Sequence, residues 1–252
     1  MQNEISPHLI LVLGCHRSGT SLLVNSLKCL GVELGEDAEW NGPDNPKSFG
    51  EDRYVMALDD RVLMLMGTAW DTPLSIPVPE TLLSPQTDLV QKATGLLRLR
   101  LARHPVFGLK DPRLCRLLPF WKPILEHLGC RVSVVHVVRH PTAVAKSLAR
   151  RDLMPLEQGY DLWLDHNQAL LRDINPAWPR VVVSYEHMMT LPMHNIARVG
   201  AATGLKSDAK KESKFIREFM DDALWHEVEE AADPLPTEVG ILWETLRHEA
   251  LT

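Results

Sequence analysis

A strand followed by a glycine-bearing loop and a helix places the tightest constraint on this sequence. Residues 9–23 read LILVLGCHRSGTSLL, in which an apolar run ends at Gly14 and an apolar helical pattern resumes after Ser21. Gly14 and Gly19 have the spacing of the G-x-x-x-x-G-K-[ST] loop, whose backbone N–H groups hold a phosphate. The position of its lysine is occupied by Thr20. The sequence therefore predicts an anion-binding loop without the usual lysine.

The side chains of this loop suggest how it could manage without lysine. Arg17 supplies a planar guanidinium, which suits a tetrahedral oxyanion, and Ser18, Thr20 and Ser21 supply hydroxyl donors. Nucleoside triphosphatases also need an Asp for Mg²⁺, but the strongest strand pattern here ends in Arg139. We therefore expect arginines in place of a metal ion. Fixed cations suit transfer of a sulfuryl group, which carries less negative charge than a phosphoryl group.

Length and composition are those of an ordinary globular chain. The 252 residues are 45% apolar and 24% charged, and we expect one domain over residues 1–252. No apolar run approaches the ~18 residues of a membrane span, and residues 1–8 lack the pattern of a signal peptide. The four cysteines form no C-x-x-C pair. These features predict a cytoplasmic protein with free thiols.

The charge of the chain is unevenly distributed. The net charge is −6, which argues against nucleic-acid binding. Residues 98–151 nevertheless contain 12 Lys and Arg against two acids, so this segment carries +10 and the rest −16. The segment could be a solvated basic face or a pocket for a small polyanion. We favour the pocket, because the strands in this segment carry basic residues at their ends.

Strands alternate with helices along the chain. Strand patterns occur at 9–13, 106–109, 131–138 and 181–184, with helical patterns at 21–30, 52–66, 89–103 and through most of the last third. This alternation predicts a three-layer α/β fold with a mostly parallel central sheet and the phosphate loop after its first strand. Ligands of such sheets lie at the carboxyl ends of the strands, and the loops at 14–21, 110–113, 139–147 and 184–186 should meet there.

Two separated segments resemble the sulfotransferases that use 3′-phosphoadenosine 5′-phosphosulfate (PAPS). GCHRSGTSLL resembles the loop of that family that holds the 5′-phosphosulfate. VVRHPTAVAKSLARR resembles its 3′-phosphate motif, in which an arginine ends a strand and a serine follows eight residues later; Arg139 and Ser147 match. In the protein-tyrosine branch a second arginine follows twelve residues after the first, and Arg151 occupies that position.

Shorter segments extend the resemblance from about Leu9 to His226. Lys110 lies in LKDP, which resembles a lysine-bearing segment of the protein-tyrosine branch, and Tyr185 lies in SYEHMM, which resembles a segment near the cofactor. NPKSFGEDRYVMALDDRVL and FMDDALWH are similar to segments of bacterial-type members. Gly50 departs from the bulky aromatic residue that relatives often carry there, which affects the expected shape of the acceptor pocket.

The resemblance implies a reaction and a set of site residues. A sulfuryl group would pass from PAPS to a hydroxyl or amine of a small-molecule, sugar or peptide acceptor, releasing 3′-phosphoadenosine 5′-phosphate (PAP), without a metal ion. The cofactor-binding residues would be Arg17, Ser18, Gly19, Thr20, Ser21, Arg139, Ser147, Arg151 and Tyr185, and the catalytic residues Glu51, Lys110 and Arg17. Alternatives are a phosphate-loop kinase or nucleotidase and a non-catalytic nucleotide-binding protein.

The general base is the least determined member of this set. Candidate carboxylates are those of Glu36, Asp37, Glu39, Glu51 and Asp52. We favour Glu51, which begins a helix and can face the phosphate loop. Glu36 and Asp37 are the alternatives, because their distance from the loop is closer to that in the protein-tyrosine branch. His16 and His140 rank below the acids. Lys110 is expected to stabilise charge on the bridging oxygen.

Overall fold

The computed structural model describes residues 6–34, 49–73, 77–219 and 234–251. A parallel sheet is formed by β1 (His8–Leu13), β2 (Val106–Lys110), β3 (Arg131–Val138) and β4 (Arg180–Ser184), in the order β2-β1-β3-β4. In the register of the sheet, Val12 of β1 lies opposite Lys110 on one side and Val135 on the other. The predicted α/β fold with a parallel sheet is confirmed.

Helices cover both faces of the sheet. They are α1 (Thr20–Ser26), which continues as a 3₁₀ turn (Leu27–Leu30), α2 (Arg53–Leu65), α3 (Glu80–Leu83), α4 (Asp88–Arg103), α5 (Leu114–Leu128), α6 (Pro141–Asp152), α7 (Leu156–Asp173), α8 (Tyr185–Thr190), α9 (Pro192–Thr203), α10 (Ala209–Phe219) and α11 (Thr237–Leu251). The sequence patterns predicted no helix between 66 and 89, whereas the structure contains α3 there. Within the described ranges, no helix combines the length and apolar character needed to cross a bilayer.

The central strand shows why the sequence requires helices on both faces. Leu9, Leu11 and Leu13 of β1 pack against α2, α4 and α5, whereas Ile10 and Val12 pack against α1, α9 and α10. All six residues of β1 are buried. When alternate side chains of a strand enter two different cores, every residue of the strand is apolar. This continuous apolar run is the pattern from which β1 was predicted.

The strand order creates a crevice at the carboxyl edge of the sheet. After β1 the chain passes to β2 on one side, and after β3 it passes to β4 on the other side. Connections that leave two adjacent parallel strands in opposite directions open a gap between them, where ligands of this class of fold bind. The Gly14–Gly19 loop follows β1, and Arg139 follows β3. Both predicted phosphate motifs therefore lie beside this crevice.

Tertiary contacts partly cancel the uneven charge of the sequence. Several arginines of the basic segment 98–151 are buried in ion pairs with acids from other parts of the chain. These pairs are Arg100–Asp52 at 2.7 Å, Arg113–Asp60 at 2.8 Å and Arg116–Asp165 at 2.9 Å. These arginines hold one element of the fold to another. Fewer of the 12 basic residues of the segment are therefore left to bind a ligand in the crevice.

Candidate active site

Gly14 lets the phosphate loop leave β1 close to its neighbouring strand. A Cβ atom on Gly14 would lie 2.3 Å from the carbonyl oxygen of Val137 in β3. The N–H of Gly14 donates a hydrogen bond to Sγ of Cys115 in α5, at 3.1 Å. Because a side chain at this position would collide with the backbone, only glycine permits this close approach.

Gly19 forms the second turn of the loop and begins α1. Its φ of +87° lies in the left-handed region, and it caps α1 without a side-chain hydrogen bond. A Cβ atom here would lie 2.3 Å from Cδ2 of Tyr185. The sequence predicted both glycines from their spacing, but the structure adds that Tyr185, which follows the edge strand β4 at the same carboxyl edge, packs directly on the loop.

Arg17 joins the two predicted phosphate motifs. It has a φ of +66°, and its Nε donates a hydrogen bond to Oγ of Ser147 at 2.9 Å. Nη1 of Arg139 in turn donates to the carbonyl oxygen of Arg17 at 3.3 Å. Ser147 and Arg139 are buried, at 5% and 9% exposure. The loop after β1 and the helix after β3 are thus in direct contact at the crevice.

Tyr185 and Glu186 complete the β3–β4 side of the site. The guanidinium of Arg139 lies 4.5 Å from the centroid of the Tyr185 ring. Burial raises the pKa of the Tyr185 phenol, although the nearby Arg139 cation acts in the opposite direction. Glu186 accepts hydrogen bonds from the backbone N–H of His140 at 3.0 Å and from Oγ of Ser184 at 2.9 Å. Glu186 thereby fixes the segment that presents Arg139.

Lys110 and Glu51 face each other on the β1–β2 side. Nζ of Lys110 donates hydrogen bonds to the Glu51 carboxylate and, at 3.3 Å, to Oγ of Ser21 in α1. Lys110 is 3% exposed and Glu51 is 7% exposed. The structure thus brings the favoured base beside the phosphate loop, through a lysine that contacts both.

Asp52 stabilises the fold, in contrast to the adjacent Glu51, which faces the phosphate loop. Its carboxylate caps α2, accepting hydrogen bonds from the N–H groups of Tyr54 at 2.9 Å and Val55 at 3.4 Å, and it pairs with the buried Arg100. A carboxylate with this many partners is a structural anchor. The other candidate bases, Glu36, Asp37 and Glu39, lie outside the described residues.

Asp111 holds the turn that carries Lys110. Its Oδ1 accepts hydrogen bonds from the N–H of Arg113 at 2.9 Å and from the Arg113 guanidinium at 3.0 Å. Burial raises the pKa of Asp111, which is fully buried, and Arg113 opposes that effect. The KDP segment therefore supplies a lysine to the site and an aspartate to the structure beneath it.

Arg151 does not join the group formed by Arg17, Arg139 and Ser147. Its guanidinium lies 5.3 Å from the Trp70 ring centroid, and its Nε bonds to Asp152 at 2.8 Å. In the described part of the chain, no hydrogen bond or ring contact of Arg151 reaches the other three residues. Arg151 lies one turn after Ser147 in α6, and its predicted contact with the 3′-phosphate stays a prediction.

The two histidines considered as bases, His16 and His140, make contacts that stabilise the fold. His16 packs against Trp70 at 4.6 Å and His166 at 5.5 Å between ring centroids, and its Nε2 is buried without a hydrogen-bond partner among the described residues. Burial, followed by the neighbouring His166, holds the pKa of His16 well below its ordinary value. Nδ1 of His140 accepts a hydrogen bond from Thr142 N–H and caps α6.

Comparison with known proteins identifies the fold. No family model matches this chain, and no curated protein matches it in sequence. The sulfotransferase domain from the Synechococcus PCC 7002 olefin synthase matches with a TM-score of 0.57 at 18% identity, covering 98% of this chain and 97% of that chain. The sulfotransferase domain from the curacin biosynthetic pathway matches with a TM-score of 0.55 at 14% identity, covering 96% and 98%. The chain has the sulfotransferase fold.

A third solved structure is more distant. Retinol dehydratase in complex with androsterone and inactive cofactor PAP matches with a TM-score of 0.41 at 13% identity, covering 97% of this chain and 80% of that chain. This similarity is too low to support an argument. The first two matches, which span nearly whole chains, confirm the resemblance inferred from the sequence at the level of the sulfotransferase fold.

Two residues of this sulfotransferase fold were missed from the sequence. Trp70 lies between the predicted helices at 52–66 and 89–103, where no residue was singled out from the sequence, and Glu186 was noted only as part of the motif around Tyr185. Trp70 contacts both His16 of the loop and Arg151 of α6. No local pattern marks such a residue, because its partners come from elements far away in the sequence.

Among the described residues, no three His, Cys, Asp or Glu side chains cluster as a metal site.

Proposed function

We propose that this chain is a PAPS-dependent sulfotransferase. The observation that carries the proposal is the hydrogen bond from Arg17 to Ser147, reinforced by that from Arg139 to the Arg17 carbonyl. These contacts place a phosphate loop and a second cationic, hydroxyl-bearing segment side by side in one crevice. A nucleotide with phosphates on both its 5′ and 3′ positions is the ligand that would use both.

The residues of the crevice fit such a ligand. Oγ of Ser18 is buried in the loop and has no hydrogen-bond partner among the described residues, as expected of a donor that serves a bound anion. The 5′ side of PAPS would be held by the loop from Arg17 to Ser21, and the 3′-phosphate by Arg139 and Ser147. Tyr185 supports Arg139 from below through its ring face.

The catalytic roles follow from the Glu51–Lys110 pair. PAPS supplies the sulfuryl group: the acceptor oxygen or nitrogen bonds to sulfur in line as the bond from sulfur to the 5′-phosphate oxygen breaks, and PAP leaves. Glu51 takes the proton of the acceptor group. Lys110, which also contacts Ser21 beside the loop, stabilises the charge that develops on the bridging oxygen, as does Arg17.

The other two functional classes have less support. A phosphate-loop kinase or nucleotidase would need the loop lysine, whose place Thr20 takes, and an acid to hold Mg²⁺. A nucleotide-binding protein without activity would have no use for a carboxylate and an ammonium group buried together at the loop. The acceptor of the proposed transfer is a small molecule, a sugar or a peptide that carries a hydroxyl or amine.

A ligand screen by thermal denaturation tests the proposal. We expect PAP to stabilise the protein by about 2.7 kcal/mol at a hundredfold excess over its dissociation constant, and ATP much less. Equal shifts with PAP and ATP would contradict the two-phosphate site. A transfer assay with PAPS should retain its rate in the presence of a chelator. Activity that disappears with chelator and returns with Mg²⁺ would instead favour the kinase.

A further inference from the structure

The order of the strands gives the crevice two distinct sides. Tyr185 and Arg139 follow β4 and β3, whereas Lys110 ends β2, two strands away from β3 across β1. Glu51 pairs with Lys110 and therefore lies on the β2 side. If the chain is a sulfotransferase, as proposed above, the acceptor group must reach Glu51, so that the acceptor occupies the β2 side and the 3′-phosphate the β3 side.

Helix α6 connects the β3 side of the crevice, where it follows Arg139, with Ser147 and Arg151 further along the helix. It begins beside Arg139, and its Ser147 contacts Arg17 in the middle of the site. One turn later, the Arg151 guanidinium lies 5.3 Å from the ring centroid of Trp70, and the His16 ring lies 4.6 Å from the same centroid. Arg116 of α5, the helix that follows β2, donates a hydrogen bond to the carbonyl oxygen of Trp70, which attaches the loop under Arg151 to the β2 side of the site. Arg151 therefore lies towards the acceptor side.

The guanidinium of Arg151 has the exposure and the hydrogen-bond donors needed to bind an anion. Its side chain is 21% exposed. Within the described ranges, its hydrogen bonds run through Nε alone, to the two carboxylate oxygens of Asp152. Both terminal NH₂ groups therefore have donors to offer. A guanidinium held by Nε and by the face of an aromatic ring presents this pair of donors in a fixed direction.

The tryptophan beneath Arg151 is itself held rigidly. Buried Arg116 donates hydrogen bonds to the carbonyl oxygens of Trp70 at 3.3 Å and Thr72 at 2.8 Å. Nε2 of Gln158 donates to the carbonyl oxygen of Asp71 at 2.9 Å. These contacts fix a loop that has no regular secondary structure. A fixed wall loses little conformational freedom when a ligand binds, which favours specific recognition.

We propose that Arg151, supported by Trp70, binds an anionic group of the acceptor, so that the substrate is an alcohol or phenol that also carries a carboxylate. The hydroxyl of this hydroxy acid reaches Glu51 while its carboxylate bonds to the terminal NH₂ groups of Arg151. The resemblance in sequence assigns Arg151 to the 3′-phosphate instead. The two assignments predict different effects of Arg151→Gln: a weaker preference for the acidic acceptor in one case, and weaker binding of PAP in the other.

Matched acceptor pairs test this assignment. The first pair is para-hydroxyphenylacetate and its amide. A methylene group separates the ring from the carboxylate, so that replacing the carboxylate by an amide changes the phenol little. The second pair is β-hydroxybutyrate and its amide. Binding to the protein–PAP complex is measured by calorimetry, and transfer from PAPS by kcat/KM. The variants are Arg151→Gln and, as a matched control with the same change in charge, Arg150→Gln at the adjacent exposed residue.

We expect the wild-type protein to prefer each acid over its amide. Arg151→Gln should lower this preference by about tenfold or more, since the charge-assisted hydrogen bonds to the carboxylate are lost, and Arg150→Gln should leave it unchanged. Equal behaviour of acid and amide in the wild-type protein, including no binding of either, overturns the inference. So does an Arg151→Gln variant that binds PAP more weakly while 5′-AMP binding is unaltered. Failure of the wild-type protein to bind PAP at all would instead refute the proposed function.

Discussion

The ammonium group of Lys110 lies between the carboxylate of Glu51 and the hydroxyl of Ser21, so that the favoured base is linked to the first turn of α1 through a single lysine. We expect Glu51→Gln to lower kcat by about 10²–10⁴-fold, because it removes the proton acceptor but keeps the size of the side chain. PAP affinity should remain near that of the wild type. Steady-state kinetics with PAPS and calorimetry with PAP measure the two effects.

Asp52→Asn provides the contrast with Glu51→Gln. Because Asp52 caps α2 and pairs with buried Arg100, this change should lower the free energy of unfolding by about 3–5 kcal/mol, as expected when one partner of a buried ion pair is removed. Its effect on kcat, measured where the variant is folded, should be smaller than that of Glu51→Gln. If Glu51→Gln retains full activity and Asp37→Asn loses it, Asp37 is the base.

Arg139 should discriminate between ligands with and without a 3′-phosphate. We expect Arg139→Ala to weaken PAP binding about tenfold or more, because a charge-assisted hydrogen bond contributes about 1.5–3 kcal/mol. The same change should weaken 5′-AMP binding far less. Calorimetry on both proteins with both ligands forms a double-mutant-type cycle, in which effects on the loop that are common to both ligands cancel. Additive losses would show that Arg139 does not contact the 3′-phosphate.

Gly19→Ala should damage the cofactor site through Tyr185. The added methyl group would lie 2.3 Å from Cδ2 of Tyr185, and the position has a φ of +87°. We expect at least a tenfold loss of PAP affinity, since the loop or the tyrosine must move. Gly31→Ala is the matched control: its φ is +75°, but a Cβ there meets nothing within 4 Å. It should cost only about 1 kcal/mol of stability and leave PAP binding intact. Equal PAP affinities of the two variants would contradict this account.

Buried histidines should make the fold sensitive to acid. Burial lowers the pKa of His136 to about 4 and that of His166 to about 3. Between the ordinary value of 6.5 and these values, the unfolded chain binds protons that the folded chain does not. The free energy of unfolding therefore falls as the pH is lowered from about 6.5, by about 1.4 kcal/mol per pH unit for each group.

Urea denaturation between pH 7.5 and pH 5 measures this slope. His166→Leu places an apolar side chain of similar size at this buried position and removes one titrating group. We expect it to reduce the slope by about 1.4 kcal/mol per pH unit near pH 5, well below the ordinary histidine pKa of 6.5, whatever its effect on stability at neutral pH. An unchanged slope would mean that His166 does not contribute to the acid sensitivity.

Local patterns were sufficient to predict the elements that form the edge of the site. The continuous apolar runs of β1 and β3 arise because both faces of these strands are buried, and this character is visible in any short stretch of sequence. Gly14 is required by its close approach to the backbone of β3, and Gly19 by its positive φ and its contact with the Tyr185 ring. Both glycines belong to one short loop, so their spacing is visible in the sequence. Arg139 and Ser147 lie on one strand end and one helix, so that their separation of eight residues is also a local property.

The direction taken by long side chains was decided only by the tertiary structure. Arg151 fits a sequence spacing, yet it lies on Trp70, a residue 81 positions earlier whose loop is fixed by Arg116. Glu51 and Asp52 are adjacent and chemically similar, yet one meets Lys110 and the other Arg100. Spacing determines which residues share an edge of the sheet or a turn of a helix. The partner that a flexible charged side chain selects depends on burial and on charges brought from distant segments, and these exist only once the chain has folded.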